Sequence, residues 1–275
     1  MSSFAKRDVA RRFRPGLAVL AVAAGALATV TGCATKGTPY ATPGSQSASA
    51  AAVATAPTSA AGPLPTASMT PLPAASGQLT GTDLEPVLLP VSDFPAGFAA
   101  SSSGPVTSGG SLTSGAAQYP LATVSCSDFV QHLGSTGFGE TAMAADSIVG
   151  TDQAYDQVIY QFGTASSASA FVAGVQSLAG RCASFTAPAS TGTTATFSLK
   201  ATPGASVAGL SSVELVQSGT VSGSALTLDT LLVASGVDVF AASAVGLGTG
   251  SPAVPAKETI IYNLMQRQAA AAVLG

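Results

Sequence analysis

Five carboxylates in this sequence are spaced as paired-acid chemistry would require. Asp146, Asp152 and Asp156 surround one predicted hairpin, and Asp229 and Asp238 flank another. Two carboxyl groups held a few ångströms apart can cleave a glycosidic bond, one as acid and the other as base or nucleophile. Aspartates beside turns more commonly stay solvated or close Asx turns. The single histidine, His132, follows Cys126 by six residues on a short predicted helix. A lone histidine at a helix end is more often half-exposed than a base. Gly246-Leu247-Gly248-Thr249-Gly250 stands between a strand and a helix, where phosphate loops occur. It lacks both the G-x-G-x-x-G and the G-x-x-x-x-G-K-[ST] spacing, so it reads as a connector. No G-x-S-x-G elbow is present. The sequence therefore predicts no catalytic group, no cofactor and no metal site. Its hydroxyl- and amide-rich character suits binding better than turnover.

The cysteines carry more chemistry than the acids. Val30-Thr31-Gly32-Cys33 closes an apolar run from Gly16 to Val30, which follows Arg11, Arg12 and Arg14. A basic head, a short apolar body and small residues before a cleavage point make a secretory signal. The run is short and Ala/Gly-rich beside the ~20 apolar residues of a membrane span. The final four residues resemble the lipobox of bacterial lipoproteins. That resemblance implies cleavage before Cys33 and a diacylglyceryl thioether on it, hence residues 1–32 as signal and a lipid anchor on the outer face of the cell membrane. Cys126 and Cys182 remain, and an even pair in an exported chain is most simply a disulfide.

Charge excludes one class of partner. Five of the ten basic residues and one of the thirteen acidic ones precede Cys33, leaving five against twelve, net −7. With no basic run after Cys33, nucleic acid has no electrostatic footprint here. From residue 33 to residue 78 the chain is almost wholly Ala, Ser, Thr, Pro and Gly. Such a segment cannot bury enough apolar surface to offset its ordering entropy, and it reads as a disordered stalk. A flexible stalk of that length spans roughly 35–40 Å, more where its seven prolines stiffen it.

Residues 79–275 read as the folded domain, a usual size for one core. Thr82 with Glu85 predicts a capped short helix before Pro90. Asp93 to Phe98 predicts a turn with two aromatic anchors, and 99–117 a Ser/Gly-rich loop. A second helix starts at Ser125. Phe171, Val175, Leu178, Cys182 and Phe185 form one stripe on the strongest helix, capped by Thr164. Strands are expected at 141–149, 155–162, 194–201, 212–220, 225–233 and 237–244, and a final helix at 257–274. In the second strand Val158, Tyr160 and Phe162 alternate with Gln157 and Gln161. Adjacent strands with short turns predict an α+β fold: an antiparallel sheet of about six strands with helices packed on one face.

In this order the chain resembles the PknH-like extracellular sensor domains of mycobacterial Ser/Thr kinases and their stand-alone lipoprotein relatives. The resemblance is carried by Leu84-Glu85-Pro86-Val87-Leu88-Leu89, by Asp93-Phe94-Pro95-Ala96-Gly97-Phe98, by the helix led by Cys126, by the strand Tyr155–Phe162, and by the Ala-rich helix running into Gly180-Arg181-Cys182. Family members often carry a Trp near the second helix cysteine and further disulfides; this chain has no Trp and cysteines for one bond. The resemblance implies a six-stranded antiparallel sheet backed by helices, with a ligand cleft at the cell surface. The expected function is a non-enzymatic, sensor-like lipoprotein taking a small-molecule, lipid or glycan ligand. The alternative is an envelope structural protein that contacts wall polymer or a partner protein.

Overall fold

In the computed structural model, residues 78–108, 117–150, 153–188, 194–221, 224–247 and 256–274 are described. The signal segment, Cys33, the stalk, Asp152 and the glycine-rich connector from 248 onward lie outside them. Helices are α1 (Gly81–Leu84), α2 (Cys126–His132), α3 (Ala165–Arg181) and α4 (Lys257–Leu274). Strands are β1 (Ala99–Ala100), β2 (Val106–Ser108), β3 (Ala142–Val149), β4 (Gln153–Gln161), β5 (Phe185–Pro188), β6 (Thr194–Pro203), β7 (Ser212–Val221), β8 (Ser224–Ser235) and β9 (Asp238–Leu247).

The strands form one antiparallel sheet in the order β1-β3-β4-β9-β8-β7-β6-β5, with β2 pairing along β3. The α+β class therefore stands, and the sheet is wider than the six expected strands. The additions are the short pieces β1, β2 and β5. Each is two to four residues long and too brief to show alternation.

A second difference concerns the helices, which cover both faces and not one. Alternate residues of β4 fall into two cores. Tyr155 and Ile159 pack with Phe240, Leu231 and the α4 residues Ile260, Ile261 and Leu264. Val158 and Tyr160 pack with Ala241, Leu232 and the α3 residues Phe171, Val175 and Leu178. The sequence pattern suggested a polar outer face because Gln157 and Gln161 alternate with the apolar residues. Both glutamines are buried. Gln157 accepts from Leu89 N and donates to Leu89 O, each at 2.8 Å. Gln161 accepts from Leu79 N at 2.5 Å. These amides satisfy backbone groups of the incoming segment, so a polar residue can sit in the core without an orphaned atom.

Helix starts follow capping chemistry. Ser125 accepts from Asp128 N, and Thr164 accepts from Ser167 N, as the sequence predicts. The first helix starts earlier than expected: Thr80, not Thr82, is the cap, in a reciprocal box with Asp83. Gly81 then presses against β2, where an added Cβ would stand 2.3 Å from Ser108 O. Phe185 likewise leaves the predicted helical stripe. The helix ends at Arg181, with Cys182 as its cap, and Phe185 opens β5. Cys126 and Cys182 are disulfide-bonded with Cα atoms 5.6 Å apart, which staples α2 to the end of α3. Gly236, at φ 61°, makes the tight turn from β8 to β9 that a residue with a Cβ would enter only with strain.

Candidate functional site

The α3 face of the sheet changes character partway along its strands. Ser147 stands opposite Asp156, Asp156 opposite Ser243, and Ser243 opposite Thr230. Opposed residues of antiparallel neighbours share a face, so these four make one polar row across β3, β4, β9 and β8. On one side the next row is apolar and lies in the core beneath α3: Val158, Ala241 and Leu232. On the other side, Ala154, Val245 and Leu228 belong to a smaller separate cluster toward the hairpin ends. Val130 of α2 packs against both clusters.

The row's hydrogen bonds leave it both acceptors and one hydroxyl proton. Ser147 Oγ donates to Asp156 Oδ1 at 2.5 Å. Thr230 and Ser243 share a single bond of 2.8 Å between their hydroxyls. An ionised carboxylate has about four acceptor sites, and among the described residues Asp156 uses one of them. No Lys, Arg or His among those residues pairs with it. Burial therefore dominates its acidity and pushes Asp156 up to about 6, against the lowering bond from Ser147; the nearby Asp146 charge raises it further. Asp156 keeps 8% of its surface open and Ser243 6%. Thr230 is buried as well, and Ser147 is half-buried.

The other predicted acids are dispersed. Asp146 points to the opposite face of β3, in register with Gln157, and burial raises its pKa. Asp229 forms an ion pair with Lys257 at the start of α4, and Glu214 meets the same ammonium group at 2.9 Å. Asp238 lies on the α4 face between two amides. Gln161 Nε2 donates to one oxygen at 3.0 Å and Gln268 Nε2 to the other at 2.8 Å. Burial nevertheless pushes it up to about 6. The structure thus separates the Asp146/Asp156 pair onto two faces, and Asp229 and Asp238 have different partners. No described pair is arranged to act as acid and base across one substrate bond.

His132 is held by its neighbours. Its Nδ1 faces the Asp128 carbonyl at 2.8 Å, where only a donor fits, so Nε2 of the neutral ring accepts from Tyr119 OH, also at 2.8 Å. The two rings stack at 3.9 Å. Among the described residues no three His, Cys, Asp or Glu side chains gather to hold a metal ion. Among them, too, no helix is long and apolar enough to cross a membrane. Of the row, sequence reasoning singled out only Asp156. Ser147, Ser243 and Thr230 are ordinary small strand residues until register aligns them; an Asp within an apolar strand was the one available signal.

No family model matches the sequence, and no curated protein does. Among solved structures, the chain is similar to the extracellular domain of PknH from Mycobacterium tuberculosis. The identity is 15% and the TM-score 0.46, over 70% of this chain and 97% of that one. It is also similar to an uncharacterised protein of Mycobacterium smegmatis, an Rv0999 ortholog. There the identity is 13% and the TM-score 0.33, over 67% of this chain and 93% of that one.

Proposed function

We propose that this chain is a cell-surface lipoprotein whose domain binds a small ligand without turning it over, in the manner of a sensor. The observation that carries the reading is the row Ser147–Asp156–Ser243–Thr230. A buried carboxylate without a counter-charge is costly to a fold, and perturbed acids of this kind cluster at functional sites. The row offers acceptors and hydroxyls but no general base held against a nucleophile by an orienting third group. Export and anchoring rest on the signal pattern and Cys33, and an oxidised cysteine pair suits an oxidising compartment.

Native mass spectrometry of the chain purified from its own envelope tests the binding claim. A non-covalent adduct is expected, lost when Ser243→Phe fills the row. Hydrolysis or transfer of envelope lipids or glycans by both the parent chain and Ser243→Phe would sink the non-enzymatic reading. Cys33→Ala tests the anchor. The substituted protein is expected in the soluble fraction, because acyl chains supply the membrane affinity. Retention in membranes after a carbonate wash would overturn the lipoprotein reading.

A further inference from the structure

We propose that Lys257 and Asp229 join in an intramolecular amide bond, a site of covalent self-modification in which Glu214 carries the protons. Nothing in it depends on the ligand that the domain takes. Three observations carry it. The first is a constellation of three groups in mutual reach. Lys257 Nζ is in contact with Asp229 Oδ1 and lies 2.9 Å from Glu214 Oε1. Register puts Asp229 opposite Val216 and Glu214 opposite Leu231, so the two acids are diagonal neighbours on the α4 face. A nucleophilic amine, a carboxyl carbon and a second carboxylate that can move protons between them are the parts that amide formation requires. Two paired strands and one helix hold them together, so attack needs no encounter.

The second is the exclusion of water. The Lys257 side chain is 11% exposed and that of Asp229 28%, and Asp229 Oδ1 itself is sealed from solvent. Val216, Ala244 and Leu231, beside the acids in register, have no polar side-chain atom. Burial raises the Asp229 carboxyl above its usual range, and Glu214 raises it further, against the lowering contact with Lys257. A carboxyl held toward its neutral form is the better electrophile. The third is charge. Three charges share this partly buried site at a cost in desolvation, and the amide removes two of them. Lys257 also opens α4, where the helix dipole opposes a cation but not an amide. The step balances with the chain as sole reactant. The bond from Asp229 Cγ to Lys257 Nζ forms and one Cγ–O bond breaks. That oxygen leaves as water, with two protons passed from the ammonium group by way of Glu214. Nothing is oxidised or reduced, and Glu214 ends as it began. The ion pair described above is the reactant state of this bond.

Peptide mapping of the full folded chain by mass spectrometry, after reduction and alkylation, tests the bond. Trypsin should cut after Lys200 and Arg267 but not after Lys257, giving a peptide 201–267 that is one water lighter than its sequence. Further cleavage by chymotrypsin after Phe240 should leave the flanking pieces joined through Asp229 and Lys257. Glu214→Gln keeps a hydrogen-bonding group beside the amine but cannot relay its protons, and the linked fraction should fall at least tenfold. A peptide 201–257 of full mass from the parent chain, with no linked form, overturns the proposal. A lost water that chymotrypsin traces to other residues overturns it as well, and so does an equal linked fraction in Glu214→Gln. Should Glu214→Gln fail to fold, Lys257→Arg decides beside the parent map. It retains the cation without the reactive amine, and a water still missing from its peptide 201–257 overturns the proposal.

Discussion

Gln268 of α4 donates to Asp238 of β9 at 2.8 Å, so the C-terminal helix meets the sheet through a buried carboxylate as well as through apolar packing. Burial pushes Asp238 up to about 6, and Asp156 on the other face likewise. An unfolded Asp titrates near 3.9. Between those values the folded chain binds more protons than the unfolded one, so stability rises as pH falls from neutral toward about 4. Each group contributes at most about 3 kcal/mol to that rise. Urea unfolding at pH 7.5 and pH 5 should show the domain more stable at the lower pH. Asp238→Asn should narrow the difference, and a flat or inverted profile would contradict the assignment.

Reducing the Cys126–Cys182 bond should destabilise the domain by about 4 kcal/mol, since it closes a loop of separation 56. For a domain of this size that lowers Tm by roughly 8–16 °C. Cys182 is fully buried, so the bond should resist mild reductant in the folded state. Alkylation and intact-mass measurement before reduction check both points; two modified thiols in the native protein would rule the bond out.

Lys257→Met should cost about 1–3 kcal/mol, because it leaves Asp229 and Glu214 facing each other without their shared cation. The loss should concentrate in α4. Hydrogen exchange is expected to quicken in the first turn of that helix before it does in β4. Uniform protection in the variant would show the pair to be a surface ornament.

Two glycines should respond to alanine with opposite signs. At Gly219 an added Cβ would lie 2.3 Å from the Phe197 ring and 2.9 Å from Thr196 O. Gly219→Ala should therefore cost about 1–3 kcal/mol by overpacking. Gly180, in the last turn of α3, has nothing within 4 Å of its Cβ position. Gly180→Ala should gain about 0.5–1 kcal/mol from helix propensity. Paired calorimetric scans decide this, and the same sign at both positions would refute it.

Legibility from sequence followed the range of the interactions. The bounds of α4, the cap of α3 at Thr164 and the β6 to β9 meander were readable because each depends on neighbours in the chain. Thr80 and Thr82 offer equivalent local caps, each with an acid three residues on. What favours Thr80 is the packing of Gly81 on Ser108, a contact 27 residues away in the numbering. Gln157 and Gln161 looked solvated because their partners, Leu89 and Leu79, are 68 and 82 residues distant. The polar row was hidden for the same reason: three of its four members acquire meaning only through strand register.

The grip of Gln161 on Leu79 and of Gln157 on Leu89 also fixes where a mechanical load on the preceding chain would enter the sheet. A pull applied to the chain ahead of Leu79 would arrive at the Gln161 end of β4, a strand flanked by β3 and β9, and so would fall on an interior member and not on a peelable edge. Neighbouring ladders then resist in shear, many hydrogen bonds at once. Asp156 sits five residues away along that strand, roughly 17 Å from the point of suspension. Under such a load β4 would be held at one end, with the polar row toward the other.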